Sequence, residues 1–312
     1  MSSTNSAGVL AALSDELANA IQQASQAVVT VDARRQLAAS GILWPAGNGI
    51  VVTSDHVVER DEDITVKLAD GRKYGATVVG RDPGSDIAVL RLNLPDGATA
   101  PAPAQLAPAD SVKIGNVALA VGRPGDGATM ATFGIVSSTG GSWRTARGGT
   151  VEGYVRADVT LYPGFSGGPL VDTSGRVTGL NSWHIANGEG LAIPAAAVSA
   201  TVQNLLAHGS VKRAYLGVTS QPAALPEALQ KKLGITQATG LVIVGVEAGS
   251  PAEKSGLGLG DVLVSFGGQP IADPRDLQSA LDSVRVGTPV AAVIVRGGER
   301  KEITLTPGER SG

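Results

Sequence analysis

One serine stands in a setting that could make it a nucleophile. Ser166 lies in Pro163-Gly164-Phe165-Ser166-Gly167-Gly168-Pro169-Leu170, where glycines allow a tight turn and leave main-chain N–H groups free to face a developing oxyanion. Gly164 to Gly168 spells Gly-x-Ser-x-Gly, the pattern of a strand–serine–helix nucleophile elbow. That elbow needs a helix directly after the serine, and an acid and a histidine later in the chain. Gly167, Gly168 and Pro169 are poor helix formers and Leu170-Val171-Asp172 reads as a strand, so the elbow is excluded. The opposite order, histidine then aspartate then serine, is present. His56 follows a β-rich run in Thr53-Ser54-Asp55-His56-Val57-Val58. Asp86 opens Asp86-Ile87-Ala88-Val89-Leu90-Arg91-Leu92, an apolar stretch where a carboxylate is costly unless hydrogen-bonded. An imidazole N–H is a suitable donor to it. Base, orienting acid and hydroxyl are the parts of a covalent acyl-transfer site.

The elements that must position these residues are short strands. From Ala27 to Leu92 six β-rich runs alternate with turn residues, and a second set follows between residues 111 and 194, which predicts two all-β barrels. Residues 93–110 hold four prolines without periodicity and read as a linker. A helix over 195–208 closes this part of the chain at Gly209, so that residues 27–209 form one domain. Residues 1–26 form a helical segment ahead of it, with Val9, Leu13, Leu17 and Ile21 on one stripe. Residues 214–308 mix strands with two short helices, a small α+β domain. The Gly256–Gly260 run lacks phosphate-loop spacing and reads as a turn.

Composition excludes several functions. The 312 residues carry a net charge of −3 and only 3% aromatics, which removes the case for a nucleic-acid binder. With no cysteine there is no thiolate nucleophile or disulfide, and His56, His184 and His208 are too scattered for a metal site. No run of 18 apolar residues could span a membrane. The first basic residue is Arg34, so the sequence shows no export signal and reads as cytoplasmic as it stands, or periplasmic if such a signal has been removed.

At this point the chain, from about Leu13 to Gly308, resembles the HtrA/Deg-type trypsin-like serine proteases with one PDZ domain. The resemblance rests on SGILW…GIVVTSDHVV around His56, ITVKLADGRKYGATVVGRDPGSDIAVLRL around Asp86 and PGFSGGPLVDTSGRVTGLNS around Ser166, with GLAIP and AYLGV further on. It implies a mostly β fold: two antiparallel barrels of the chymotrypsin/trypsin type, then a small α+β PDZ domain. It implies His56 as general base, Asp86 as its orienting acid, Ser166 as nucleophile, and an oxyanion hole from the N–H groups of Gly164 and Ser166 with that of Phe165. Leu161 and the Gly188–Leu191 loop, with Glu189, would wall a primary pocket suited to small aliphatic residues. Tyr215, Leu216, Gly217 and Val218 would bind a peptide C-terminus, with Leu277, Leu281 and Val284 of a helix over 274–284 opposite. No metal or organic cofactor is implied.

The implied activity is ATP-independent cleavage of unfolded or damaged proteins by a homo-oligomer, a trimer by resemblance. The chain departs from the family at Phe165 and Tyr162, where asparagine is usual, and at Glu189, where an apolar residue is common. Those changes beside the nucleophile raise an alternative, a peptide-binding scaffold or chaperone with a latent protease domain. His184 reads as a surface loop residue and Asp158 as structural.

Overall fold

A computed structural model describes residues 6–144, 150–184, 191–209 and 214–309. Contacts divide the chain into two compact units, Met1–Val211 and Lys212–Ser311.

The first unit opens with helix α1 (Ser6–Ser25) and strands β1 (Val28–Asp32), β2 (Ala39–Leu43), β3 (Ile50–Thr53), β4 (Ile64–Lys67), β5 (Lys73–Asp82) and β6 (Ile87–Leu92). These six close an antiparallel barrel in the order β1-β2-β3-β6-β5-β4. Strands β7 (Val117–Gly122), β8 (Met130–Gly140), β9 (Trp143–Arg144), β10 (Thr150–Val151), β11 (Tyr154–Ala157), β12 (Pro169–Val171), β13 (Val177–Ser182) and β14 (Leu191–Pro194) follow. Apart from the β9–β10 ribbon they close a second barrel, β11-β14-β13-β12-β7-β8. The two barrels expected from the strand spacing are therefore present.

Strand periodicity explains how the barrels pack together. Successive side chains point to opposite faces, so Val29, Val31, Leu43, Val51 and Leu90 fill the inside of the first barrel. Their neighbours Val28, Ile42, Val52 and Val89 point outward, into a shared core with Leu119, Val121, Leu180 and Ile193 of the second barrel. Both faces of β1, β2, β3 and β6 are thus buried, which is why they read as unbroken apolar runs.

Helix α2 (Ala195–His208) lays Ala195, Val198, Val202 and Leu205 on this shared core and ends at Gly209, whose N–H still donates to the Leu205 carbonyl and whose left-handed φ of 73° breaks the helical path after it. The linker packs as well. Ala104 N–H donates to the Leu43 carbonyl and Ala107 N–H to that of Val177, so it binds one barrel to the other. In α1 the expected stripe is covered only in part: Leu17 and Ile21 pack on the shared core, whereas Val9, Leu10 and Leu13 are exposed.

The second unit holds β15 (Ala214–Tyr215), β16 (Val218–Ala224), α3 (Glu227–Leu233), β17 (Thr239–Val246), α4 (Pro251–Lys254), β18 (Val262–Phe266), β19 (Gln269–Pro270), α5 (Pro274–Asp282), β20 (Val290–Arg296), β21 (Glu299–Leu305) and β22 (Gly308–Glu309). Its main sheet runs β16-β17-β18-β20-β21 with β16 at an edge, and β15 pairs with β22. Helix α5 starts at a capping box between Asp273 and Asp276 and packs on β15 and β16.

Candidate active site

His56 sits in a single 3-10 turn, Asp55–Val57, directly after β3. Asp86 stands one residue before β6, the strand that pairs with β3, so the barrel brings the two together. Asp86 holds a left-handed φ of 56°, uncommon for a residue with a side chain and of the kind that collects at functional sites. Its carboxylate accepts from the His56 N–H at 2.9 Å, from His56 Nδ1 at 2.9 Å to each oxygen, and from Ser182 Oγ at 2.6 Å. A carboxylate only accepts, so in the neutral imidazole it is Nδ1 that carries the proton and Nε2 that keeps a lone pair.

Burial pushes the Asp86 carboxyl up, but the hydrogen bonds from His56 and Ser182 outweigh it and hold the group below its ordinary value. A carboxyl depressed in the folded state stabilises the fold above its unfolded value of about 3.9, and that contribution is lost as pH falls through the lower folded value. The urea midpoint of wild type should accordingly exceed that of Asp86→Asn at pH 7, with the gap closing below about pH 3.9. A gap that persists undiminished at pH 2 would contradict this.

Ser166 comes from the second barrel, in the turn before β12, and is almost fully buried. Its Oγ accepts from the Trp183 N–H at 3.2 Å, which leaves the hydroxyl proton available. No hydrogen bond joins Ser166 to His56 in this arrangement; such bonds are often long until substrate is bound. The end of β13 ties the site together instead, with Ser182 on Asp86, the next residue on Ser166, and His184 stacked on the His56 ring at 5.1 Å between centroids and 24° between planes. Sequence reading missed Ser182 and Trp183 and put His184 at the surface. It is exposed, yet its ring lies against that of His56.

Ahead of Ser166, residues 162–165 form a turn closed by the Phe165 N–H on the Tyr162 carbonyl at 2.9 Å. Gly164, third in that turn, has a φ of 86°, the signature of a type II turn with Pro163 second. The Phe165 N–H, expected in the oxyanion hole, is therefore committed elsewhere. Among the described residues the N–H groups of Gly164 and Ser166 meet no acceptor, which leaves those two as the donors on offer. The Phe165 side chain is wholly buried in the second barrel's core, edge-on to Tyr162 at 5.7 Å. Leu161 is buried in the same core. Glu189 lies outside the described residues.

In the second unit, Gly217 has a φ of 78° and the N–H groups of Leu216 and Gly217 meet no acceptor among the described residues, while their carbonyls take the Ala252 and Glu247 N–H groups. Tyr215 donates its hydroxyl to Glu247 at 2.6 Å, and Val218 opens the edge strand β16. Leu277 and Leu281, expected on the open wall of a groove, are instead 5% exposed and pack the core with Leu216 and Phe266. They are the face that the amphipathic helix α5 buries.

Two closed barrels with this histidine–aspartate–serine set, followed by a separate sheet with β16 at its edge and a glycine turn, have the architecture of a trypsin-like peptidase domain joined to a domain of the PDZ type. Residues 39–180 match the family model "Trypsin-like peptidase domain" and residues 214–306 the model "PDZ domain". The structure superposes on that of the HtrA-type protease AlgW with decapeptide at a TM-score of 0.70 and 30% identity, covering 95% of this chain and 99% of that one. A serine endoprotease from Yersinia pestis gives 0.72 and 28%, with 95% and 98% covered. The chain is 34% identical over 272 residues to the periplasmic serine endoprotease DegP of Salmonella typhimurium, covering 85% of this chain, and so spans about half (56%) of that relative. The periplasmic pH-dependent serine endoprotease DegQ of Escherichia coli is 31% identical, with 86% of this chain and 58% of the relative covered. The chain belongs to the HtrA-type protease family.

Proposed function

We propose that this chain is a serine endopeptidase that degrades unfolded or damaged protein without ATP. The observation that carries the reading is the buried Asp86 carboxylate, bonded at once to His56 Nδ1, the His56 N–H and Ser182. With Nδ1 protonated, Nε2 takes the Ser166 proton as Oγ attacks the scissile carbonyl, and Asp86 stabilises the imidazolium that forms. The Gly164 and Ser166 N–H groups receive the charge that develops on the carbonyl oxygen. Collapse expels the amine with the proton from His56, and water, activated by His56, hydrolyses the acyl-enzyme. Every step uses side chains and main chain of this protein. Digestion of casein by the purified chain without ATP tests the reading; intact casein after prolonged incubation would favour the latent scaffold.

The second unit is proposed to hold peptide C-termini, with the carboxylate on the free N–H groups of Leu216 and Gly217 and the peptide extending along β16. On the Ser166→Ala background, which spares the ligand, peptides ending in an apolar residue with a free carboxylate should bind about tenfold or more tightly than their amides. Equal affinities by calorimetry would exclude the carboxylate loop. The same proposal includes a homo-oligomer and an extracytoplasmic place of action. The relatives named as periplasmic support the latter over a cytoplasmic one.

A further inference from the structure

The two oxyanion donors lie on a glycine-containing loop of the second barrel, and the groups that fix this loop come largely from one residue of the first. Ser40, on β2, is fully buried. Its hydroxyl donates to the Gly164 carbonyl at 2.7 Å and accepts from the Arg123 N–H at 2.8 Å. Its own N–H donates to the Ser166 carbonyl at 3.3 Å, and its carbonyl accepts from Thr53 Oγ1 at 2.7 Å. Among the described residues the Gly164 carbonyl has no other donor.

The consequence is geometric. The Gly164–Phe165 peptide is held on both of its polar groups, the carbonyl by Ser40 and the N–H by the Tyr162 carbonyl. Glycine has no side chain to resist rotation, so it is the pinning of that plane that limits the φ and ψ of Gly164 and with them the direction of its N–H. The next peptide is held by its carbonyl, the Phe165 oxygen taking the Gly168 N–H at 2.9 Å, which turns the Ser166 N–H the other way.

We propose that Ser40 is a positioning residue for the oxyanion hole, its hydroxyl pinning the loop so that the Gly164 N–H faces the substrate carbonyl oxygen. This rests on the protease reading. Without the hydroxyl, a buried carbonyl loses its partner, and the loop rotates to find another. Negative charge on the substrate oxygen is absent from the bound substrate and develops on the way to the tetrahedral intermediate, so the loss falls on kcat and not on KM.

The test compares wild type, Ser40→Ala and Ser40→Cys on a fluorogenic peptide, with active sites counted by titration with a serine-directed phosphonate. Ser40→Ala should lose about 10²-fold in kcat per titrated site with KM little changed. The Ki of a peptidyl boronate, whose tetrahedral adduct sets an oxygen in the same place, should rise by the same factor. Ser40→Cys, which keeps a weak donor, should recover part of both. A Ser40→Ala variant that melts earlier but keeps kcat and boronate affinity would overturn the proposal, as would activity lost only in proportion to titratable sites. Should Ser40→Ala fail to fold, Ser40→Cys carries the same comparison. A wild type that neither cleaves nor titrates defeats the protease reading itself, and the role of Ser40 with it.

Discussion

Ser166→Ala is expected to slow casein cleavage by about 10⁴-fold or more, and His56→Ala and Asp86→Asn to fall in the same range. In Ser166→Ala the nucleophile is gone while the Ser166 and Gly164 N–H groups and the substrate contacts remain. In Asp86→Asn the carboxamide takes the place of an acceptor that orders three donors, from the His56 N–H, His56 Nδ1 and Ser182 Oγ. An amide can donate to Nδ1, which would move the imidazole proton to Nε2 and leave nothing to accept the Ser166 proton. The three groups act as one device, so a double variant should be no slower than the worse single one. Initial rates on labelled casein, with melting curves to show that each variant folds, check this. Undiminished cleavage by Ser166→Ala would refute the assignment.

The second large effect is on stability. Phe165→Ala should cost about 3–5 kcal/mol, the usual range for truncating a phenylalanine in a core. At about 2–4 °C per kcal/mol for a unit of this size, the protease unit should melt about 6–20 °C earlier. The ring has no solvent exposure, and it fills the space over Gly122, where an added Cβ would stand 2.8 Å from its Cδ1. Phe165→Asn, although it installs the residue usual in the family, should be at least as harmful, because the same void opens and an amide is buried unpaired beside it. Differential scanning calorimetry reads both variants. An unchanged melting temperature for Phe165→Ala would mean that the ring does not support the loop.

The strands and the three residues of the candidate site were legible in the sequence for different reasons. Barrel strands buried on both faces leave unbroken apolar runs bounded by glycine and proline. His56, Asp86 and Ser166 each sit in a local string whose residue types suit the chemistry. Ser40, Ser182 and the Trp183 N–H were not legible, because a serine on a strand looks the same whether its hydroxyl meets water or a carboxylate 96 residues away. The proline-rich stretch announced only the lack of regular structure. Its packing, through Ala104 and Leu106 on the shared core, depends on where the two barrels stand. In α1 the period of four marked an apolar stripe, but periodicity does not say that cover stops short of Leu13. At Phe165 the sequence showed an unusual residue beside Ser166, and only the structure shows its ring turned into the core and its N–H spent on closing a turn.

In the proposed mechanism Ser166 is a nucleophile activated by His56 under the control of Asp86. Incubating the intact chain with a serine-directed phosphonate and locating the adduct by peptide mass spectrometry tests it most directly. One adduct per chain is expected, on Ser166, absent from Ser166→Ala and formed far more slowly in His56→Ala. A folded wild type that takes up no phosphonate, or an adduct that forms equally in Ser166→Ala, would contradict it.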